Sequence, residues 1–192
     1  TEFIQGQLTS LPFIEMLQKT TLDSEHRIYS LLGGTFGNLE QDYFADILSG
    51  LLLTGDKLWM DAVIRFDHTL QTDRKWFDRY RGYAQDPKRQ AFYFRPLKEM
   101  GFDASKGEFF LQMKEEETLE ALRFTFYFFA KEMQRVTIDG NVCTLLPEST
   151  VELQNILVYD PEVLIRFFEA RDFRVISKQI HESMAQFVFE KQ

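Results

Sequence analysis

The sequence predicts an all-α fold: a compact bundle of about eight or nine helices with one small β-hairpin near residues 136–145. Three observations carry that expectation. Apolar residues recur at three- and four-residue spacing along most of the chain. Capping signals precede several of these runs. Only one segment alternates β-branched and polar residues around a tight-turn dipeptide.

Taken in order, Ser10 caps a first helix through Leu11–Leu17, with Pro12 in its first turn. Asp23 and Ser24 cap a second through Ile28, Leu31 and Leu32, stopped by Gly33-Gly34. Asn38 with Gln41 resembles a capping box and opens a third, with Phe44, Ile47, Leu48, Leu51 and Leu52 apolar and Gly55 as its stop. Asp56 caps a fourth, with Leu58, Trp59, Ala62, Val63, Phe66 and Leu70 on one face. Arg74–Tyr83 forms a fifth with Trp76, Phe77 and Tyr80 inward. Asp86-Pro87, a cap followed by proline, starts a sixth that runs to about Phe94, before Pro96.

Glu117–Gln134 reads as the central helix. Leu119, Leu122, Phe126, Phe129 and Met133 share a face, and Phe124, Tyr127 and Phe128 fill the remainder. A helix apolar nearly all round is buried on several sides. Around Asp139-Gly140 the alternation of Arg135–Leu145 predicts the hairpin, because that dipeptide supplies positive φ angles. Ser149 with Glu152, and Asp160-Pro161, open two further helices. Phe173–Phe189 closes the chain as the last, with Ile176, Ile180, Met184, Phe187 and Val188 inward.

The chain has 192 residues, 44% of them hydrophobic and 27% charged, which is globular rather than disordered composition. At this length folding buries roughly 70% of the unfolded chain's surface. No linker and no repeat divides it, so 1–192 reads as one helical domain. Twenty phenylalanines predict a bulky core or an apolar pocket. The single cysteine, Cys143, excludes an internal disulfide and fits a reducing, cytoplasmic setting. No run of about 20 apolar residues predicts a membrane span, and no signal peptide is visible at the start.

Motifs for chemistry are sparse. Gly33-Gly34-Thr35-Phe36-Gly37 lacks the Lys-Ser/Thr of a phosphate-binding loop and reads as a turn between helices. His26, His68 and His181 have no metal-ligand spacing. Cys143 reads as a small hydrophobe rather than a nucleophile. No catalytic residue, metal or cofactor is expected. Glu115–Glu117, with Glu108 and Glu120, reads as charge favouring a helix start.

Charge is more structured. The formal net charge is −8, which disfavours general nucleic-acid binding. Yet the basic stretch 74–98 carries Arg74, Lys75, Arg79, Arg81, Lys88, Arg89, Arg95 and Lys98. Against Asp73, Asp78, Asp86 and the flanking Glu99, eight minus four leaves +4, and the rest of the chain near −12. Aromatic residues interleave there. Arg74, Arg79, Arg81, Lys88 and Arg89 are therefore the expected partner-binding residues.

Three functions follow. The first is a non-catalytic protein-binding module of inhibitor, immunity or adaptor type, occupying another protein's surface. The second is a helical protein with a Phe-lined pocket for an apolar ligand, with or without catalysis. The third is a nucleic-acid or phosphate binder using the basic stretch.

Overall fold

The computed structural model describes residues 27–192, and in them the fold is α/β, not all-α. Nine strands and four α-helices are present among the described residues. The expected helix at Leu11–Leu17 and the caps at Asp23 and Ser24 lie outside them.

The chain forms two compact units, Thr1–Phe66 with Val158–Gln192, and Asp67–Leu157. In the first, β1 (Ile28–Leu31) runs parallel to β2 (Lys57–Ile64). The last residues of β7 (Thr150–Tyr159) also run parallel to β2, pairing Val158 with Val63 and Tyr159 with Ile64. The other edge of β2 pairs antiparallel with β9 (Met184–Lys191), and β9 pairs with β8 (Phe173–His181). This is a mixed sheet.

Three parts of it replace expected helices, namely β1, where a helix through Ile28, Leu31 and Leu32 was expected, β2, and the β8–β9 pair; the burial pattern of β2 and β9 shows why. Leu58, Met60, Ala62 and Ile64 are buried while Lys57, Trp59, Asp61 and Val63 are less so. Ala185, Phe187 and Phe189 alternate in the same way along β9. That is the period of two of a strand with one face on the core. Glu182 and Gly-free turn residues close the β8–β9 hairpin, and Glu182 takes a positive φ of 53°.

Helices α1 (Gln41–Leu51) and α4 (Pro161–Glu169) form where caps were expected. Asp160 accepts from the backbone N–H of Glu162 and Val163, at 2.8 and 3.0 Å. At the head of α1 no side chain caps the helix; the Gln41 amide donates to the Phe36 and Leu39 carbonyls instead. Phe36 is fully buried against Phe168, 5.3 Å between ring centres, and Phe168 stacks on Phe189 at 4.7 Å. Asp56 caps no helix. It is buried, its Oδ2 lies 2.7 Å from Arg27 Nη2, and it accepts from the Leu53 N–H.

The second unit holds α2 (Leu70–Gln85) and α3 (Pro87–Glu99). Its strands are β3 (Gly107–Glu116), β4 (Ala121–Ala130) and most of β7, with β4 between the other two. The expected central helix is β4. Leu122, Phe124, Phe126, Phe128 and Ala130 form one buried row, whereas Phe129 lies half-buried on the other face. Tyr80 of α2 packs on Phe124 at 4.6 Å, and Phe94 of α3 on Phe128 at 4.7 Å. The helix expected from Ser149 is β7. A hairpin of β5 (Gln134–Ile138) and β6 (Asn141–Leu145) turns at Asp139 and Gly140, both with positive φ.

Pro96 sits inside α3 without ending it. Among the described residues no helix is long and apolar enough to cross a membrane.

Candidate functional site

The glycine-rich segment follows strand β1 rather than joining two helices. Gly33 and Gly34 hold φ of +76° and +67°, a left-handed conformation that favours glycine. This turns both backbone N–H groups onto the Asp61 carboxylate, at 2.9 and 2.6 Å. Parallel strands β1, β2 and β7 all deliver their carboxyl ends to this edge, the usual place for a ligand in α/β sheets. Asp61 was not among the sequence candidates. Its signal was a lone acid inside the apolar run Leu58–Ile64.

The second unit contains a cavity of about 460 Å³. One wall is α3, which presents Pro87, Gln90, Ala91, Phe94 and Lys98 at helical spacing. The facing wall is Phe102, Asp103, Ala104 and Phe109. Phe94 and Phe102 are buried, and Phe94 meets Phe109 edge-on at 5.8 Å. Lys98 and Asp103 are exposed at its rim. Asp103 Oδ1 accepts from the Ser105 N–H and hydroxyl, each at 2.8 Å, and these bonds hold its carboxyl below the usual range. The Asp103 N–H donates to buried Gln134 Oε1 at 2.7 Å, which fixes this wall. The sequence signalled the phenylalanines but not their convergence, which depends on the β3–β4 register.

The five expected partner-binding residues lie on α2 and α3. Arg79 Nε donates to the Tyr83 hydroxyl at 3.2 Å, and its guanidinium lies 5.1 Å from the Trp76 ring centre. The Arg89 guanidinium lies 3.6 Å from the Tyr83 ring centre. Arg79 and Arg89 are thus brought to one aromatic side chain. Arg81 pairs with Asp78 at 2.9 Å beside Phe77, while Arg74 and Lys88 are exposed. Beneath them Tyr80 is buried, and loss of hydration pushes its hydroxyl up to about 12.

Among the described residues no group of three or more His, Cys, Asp and Glu is placed to hold a metal ion. His26 lies outside those residues. Cys143 is half-buried in β6 and packs with Val136 against the Phe94–Phe128 cluster.

No protein-family model matches the sequence, and no curated protein matches it. Among solved structures, the chain is similar to an S-adenosylmethionine-dependent methyltransferase from Clostridium acetobutylicum, at 7% identity and a TM-score of 0.39. That match covers 95% of this chain and 72% of the other. The glycopeptide N-methyltransferase MtfA, solved with S-adenosylmethionine, matches at 14% identity and a TM-score of 0.37, covering 98% and 64%. The CcbJ methyltransferase from Streptomyces caelestis matches at 12% and 0.37, covering 95% and 77%. The expected non-catalytic binding module is corrected together with the fold. The all-helical bundle on which the inhibitor or immunity reading rested is replaced by a mixed sheet with helices.

Proposed function

We propose that the chain is an α/β domain that binds an apolar, ring-sized small molecule in the cavity of its second unit. The observation that carries this is the convergence of Phe94, Phe102 and Phe109 on about 460 Å³ of space with a charged rim. Small-molecule sites are mostly apolar concavities of roughly 300–1,000 Å³ with a few fixed polar groups. Asp103, held by Ser105 and Gln134, is such a fixed group. The single cysteine supports a cytoplasmic setting for it.

Calorimetric titration with indole tests the reading, comparing the parent chain with Ala91→Trp. Ala91 is an exposed wall residue of a helix, so tryptophan there fills the cavity without replacing core. Saturable binding weakened at least about tenfold, or about 1.4 kcal/mol, by the substitution supports the proposal. Equal binding by both chains overturns it.

A second reading places a ligand at the carboxyl edge of the first unit's parallel strands. It is favoured by the Gly33 and Gly34 amides on Asp61, which fix a carboxylate at that edge. Indole binding that survives Ala91→Trp but is lost in Asp61→Asn would favour this second location.

A further inference from the structure

The two faces of the first unit's sheet differ in chemistry. Leu58, Met60, Phe187 and Phe189 are buried on the face where Phe168 of α4 stacks on Phe189. The alternate residues of the same strands point to the other face. The ladder register sets them in rows across β2, β9 and β8. Trp59 lies beside Val188 and Ser177, Asp61 beside Gln186 and Gln179, and Val63 beside Met184 and His181. Two hollows lie on this face, of about 370 and 170 Å³, and both are lined by Gln179 and Gln186, so they form one groove. Trp59, Ser177 and Val188 line its smaller end, and Met184 and His181 its larger end. The groove shares no residue with the Phe-lined cavity.

Its lining is aromatic and hydrogen-bonding rather than ionic. Trp59 is 40% exposed, a large aromatic surface turned away from the core. Beside it stand one hydroxyl and two carboxamides, all exposed. Each carboxamide carries one acceptor and two donors, and the hydroxyl donates and accepts. Among the described residues no hydrogen bond engages the side chains of Ser177, Gln179 or Gln186. No Asp, Glu, Lys or Arg lines either hollow. The carboxylate in the glutamine row, Asp61, accepts from the Gly33 and Gly34 N–H groups. Two charged side chains of β8 are likewise engaged, Lys178 with Glu162 at 2.6 Å and Arg174 with Glu190 at 2.7 Å. An anion would find no Lys or Arg in this groove. A wholly apolar ligand would cover the amides without replacing their bonds to water, which costs free energy.

We propose that this groove binds a neutral saccharide of one or two rings. One pyranose ring lays its C–H face on the Trp59 indole, whose π face is electron-rich. Its hydroxyls exchange hydrogen bonds with Ser177, Gln179 and Gln186, and a second ring lies towards Met184 and His181. A sugar ring is apolar on its faces and hydroxylated at its rim, so an aromatic surface flanked by donors and acceptors complements both parts.

The test is residue-resolved nuclear magnetic resonance of the ¹⁵N-labelled full chain with cellobiose and with maltose, a straight and a bent neutral disaccharide. Sorbitol supplies hydroxyls without a ring, and cyclohexanol a ring with one hydroxyl. The expected result is saturable shifts at the Trp59 indole N–H and at the Gln179 and Gln186 amides, with Kd below about 10 mM for at least one disaccharide. Gln179→Ala and Gln186→Ala, both at exposed positions, should each weaken that binding at least about threefold. Trp59→Ala should weaken it at least about tenfold, and both controls should bind at least about tenfold more weakly than the disaccharide. Ala91→Trp should leave the affinity within about twofold, because that change is in the other cavity. Absence of saturation by both disaccharides overturns the proposal. So does unchanged affinity in both glutamine variants with native near-ultraviolet circular dichroism, or saturation by either control over the same concentrations. Saturable shifts confined to the walls of the Phe-lined cavity also overturn it, since they would put the sugar there.

Discussion

Gly107 pairs with Ala130 across the β3–β4 ladder, and the ring of Phe128, two residues along β4, reaches over it, so substitutions at Gly107 and Phe128 should interfere. Gly107 has φ of −163°, an extended conformation open to any residue, so its requirement is steric. A Cβ there would lie 2.3 Å from Phe128 Cζ and 2.3 Å from the Phe129 carbonyl oxygen. The ring can shift, whereas the carbonyl belongs to a strand paired over its full length. Gly107→Ala should therefore cost about 1–3 kcal/mol, towards the upper end. Phe128 is fully buried and packs on Phe94 at 4.7 Å and Phe109 at 5.4 Å. Phe128→Ala should cost about 3–5 kcal/mol. In the double variant the ring half of the clash vanishes and the carbonyl half stays. The combined loss should fall short of the sum by about 1 kcal/mol, within the range for residues in contact. Urea unfolding at 25 °C, followed by Trp76 fluorescence in the Trp59→Phe chain, reads all four stabilities. Additivity within about 0.3 kcal/mol would refute the placement of the ring over Gly107. A loss below about 1 kcal/mol for Phe128→Ala would refute its burial.

Phe126→Ala should cost about 3–5 kcal/mol and Phe129→Ala less than half of that, because they lie on opposite faces of β4; equal losses by urea unfolding would count against a strand. Asp56→Ala should cost about 3–5 kcal/mol, since it breaks a buried pair with Arg27; an unchanged thermal midpoint would contradict that. Tyr80 has a raised pKa of about 12, so its contribution is present below its unfolded value of about 10 and is lost as pH rises towards 12. Absorbance titration at 295 nm should show one tyrosine ionising last, and Tyr80→Phe should remove that step. Asp67, held below its ordinary 3.8 chiefly by the Thr72 hydroxyl, contributes stability above that value and loses it as pH falls through the lower folded one. Asp67→Asn should flatten that acid limb, and an unaltered limb would show that the Thr72 bond does not matter to stability.

What the sequence disclosed was largely its punctuation. Asp86-Pro87 and Asp160-Pro161 open helices because an aspartate cap followed by proline is a local device that tertiary context does not override. Asp139-Gly140 turns a hairpin for the same reason. The long apolar runs misled. Residues 121–130 carry apolar side chains on both faces, so three- and four-residue spacings can be picked from them as readily as period two. The alternation Leu122, Phe124, Phe126, Phe128, Ala130 was present, as was that of Leu58, Met60, Ala62 and Ile64. High aromatic and β-branched content was the arbiter that favoured strands. Capping boxes failed at Ser149, where a Ser-x-x-Glu pattern precedes a strand. The phenylalanine excess pointed to a pocket as well as a core. Phe94 of α3 and Phe109 of β3 meet each other and Phe128 of β4, a tertiary contact with no local sequence signal.

The central claim is that the Phe-lined cavity of the second unit receives a small apolar ring. Residue-resolved nuclear magnetic resonance of the ¹⁵N-labelled full chain, titrated with indole, addresses it most directly. Saturable shifts concentrated on the amides of Ala91, Phe94, Phe102 and Phe109 are the expected result. Shifts that do not saturate, or that saturate only at amides away from those walls, would contradict it.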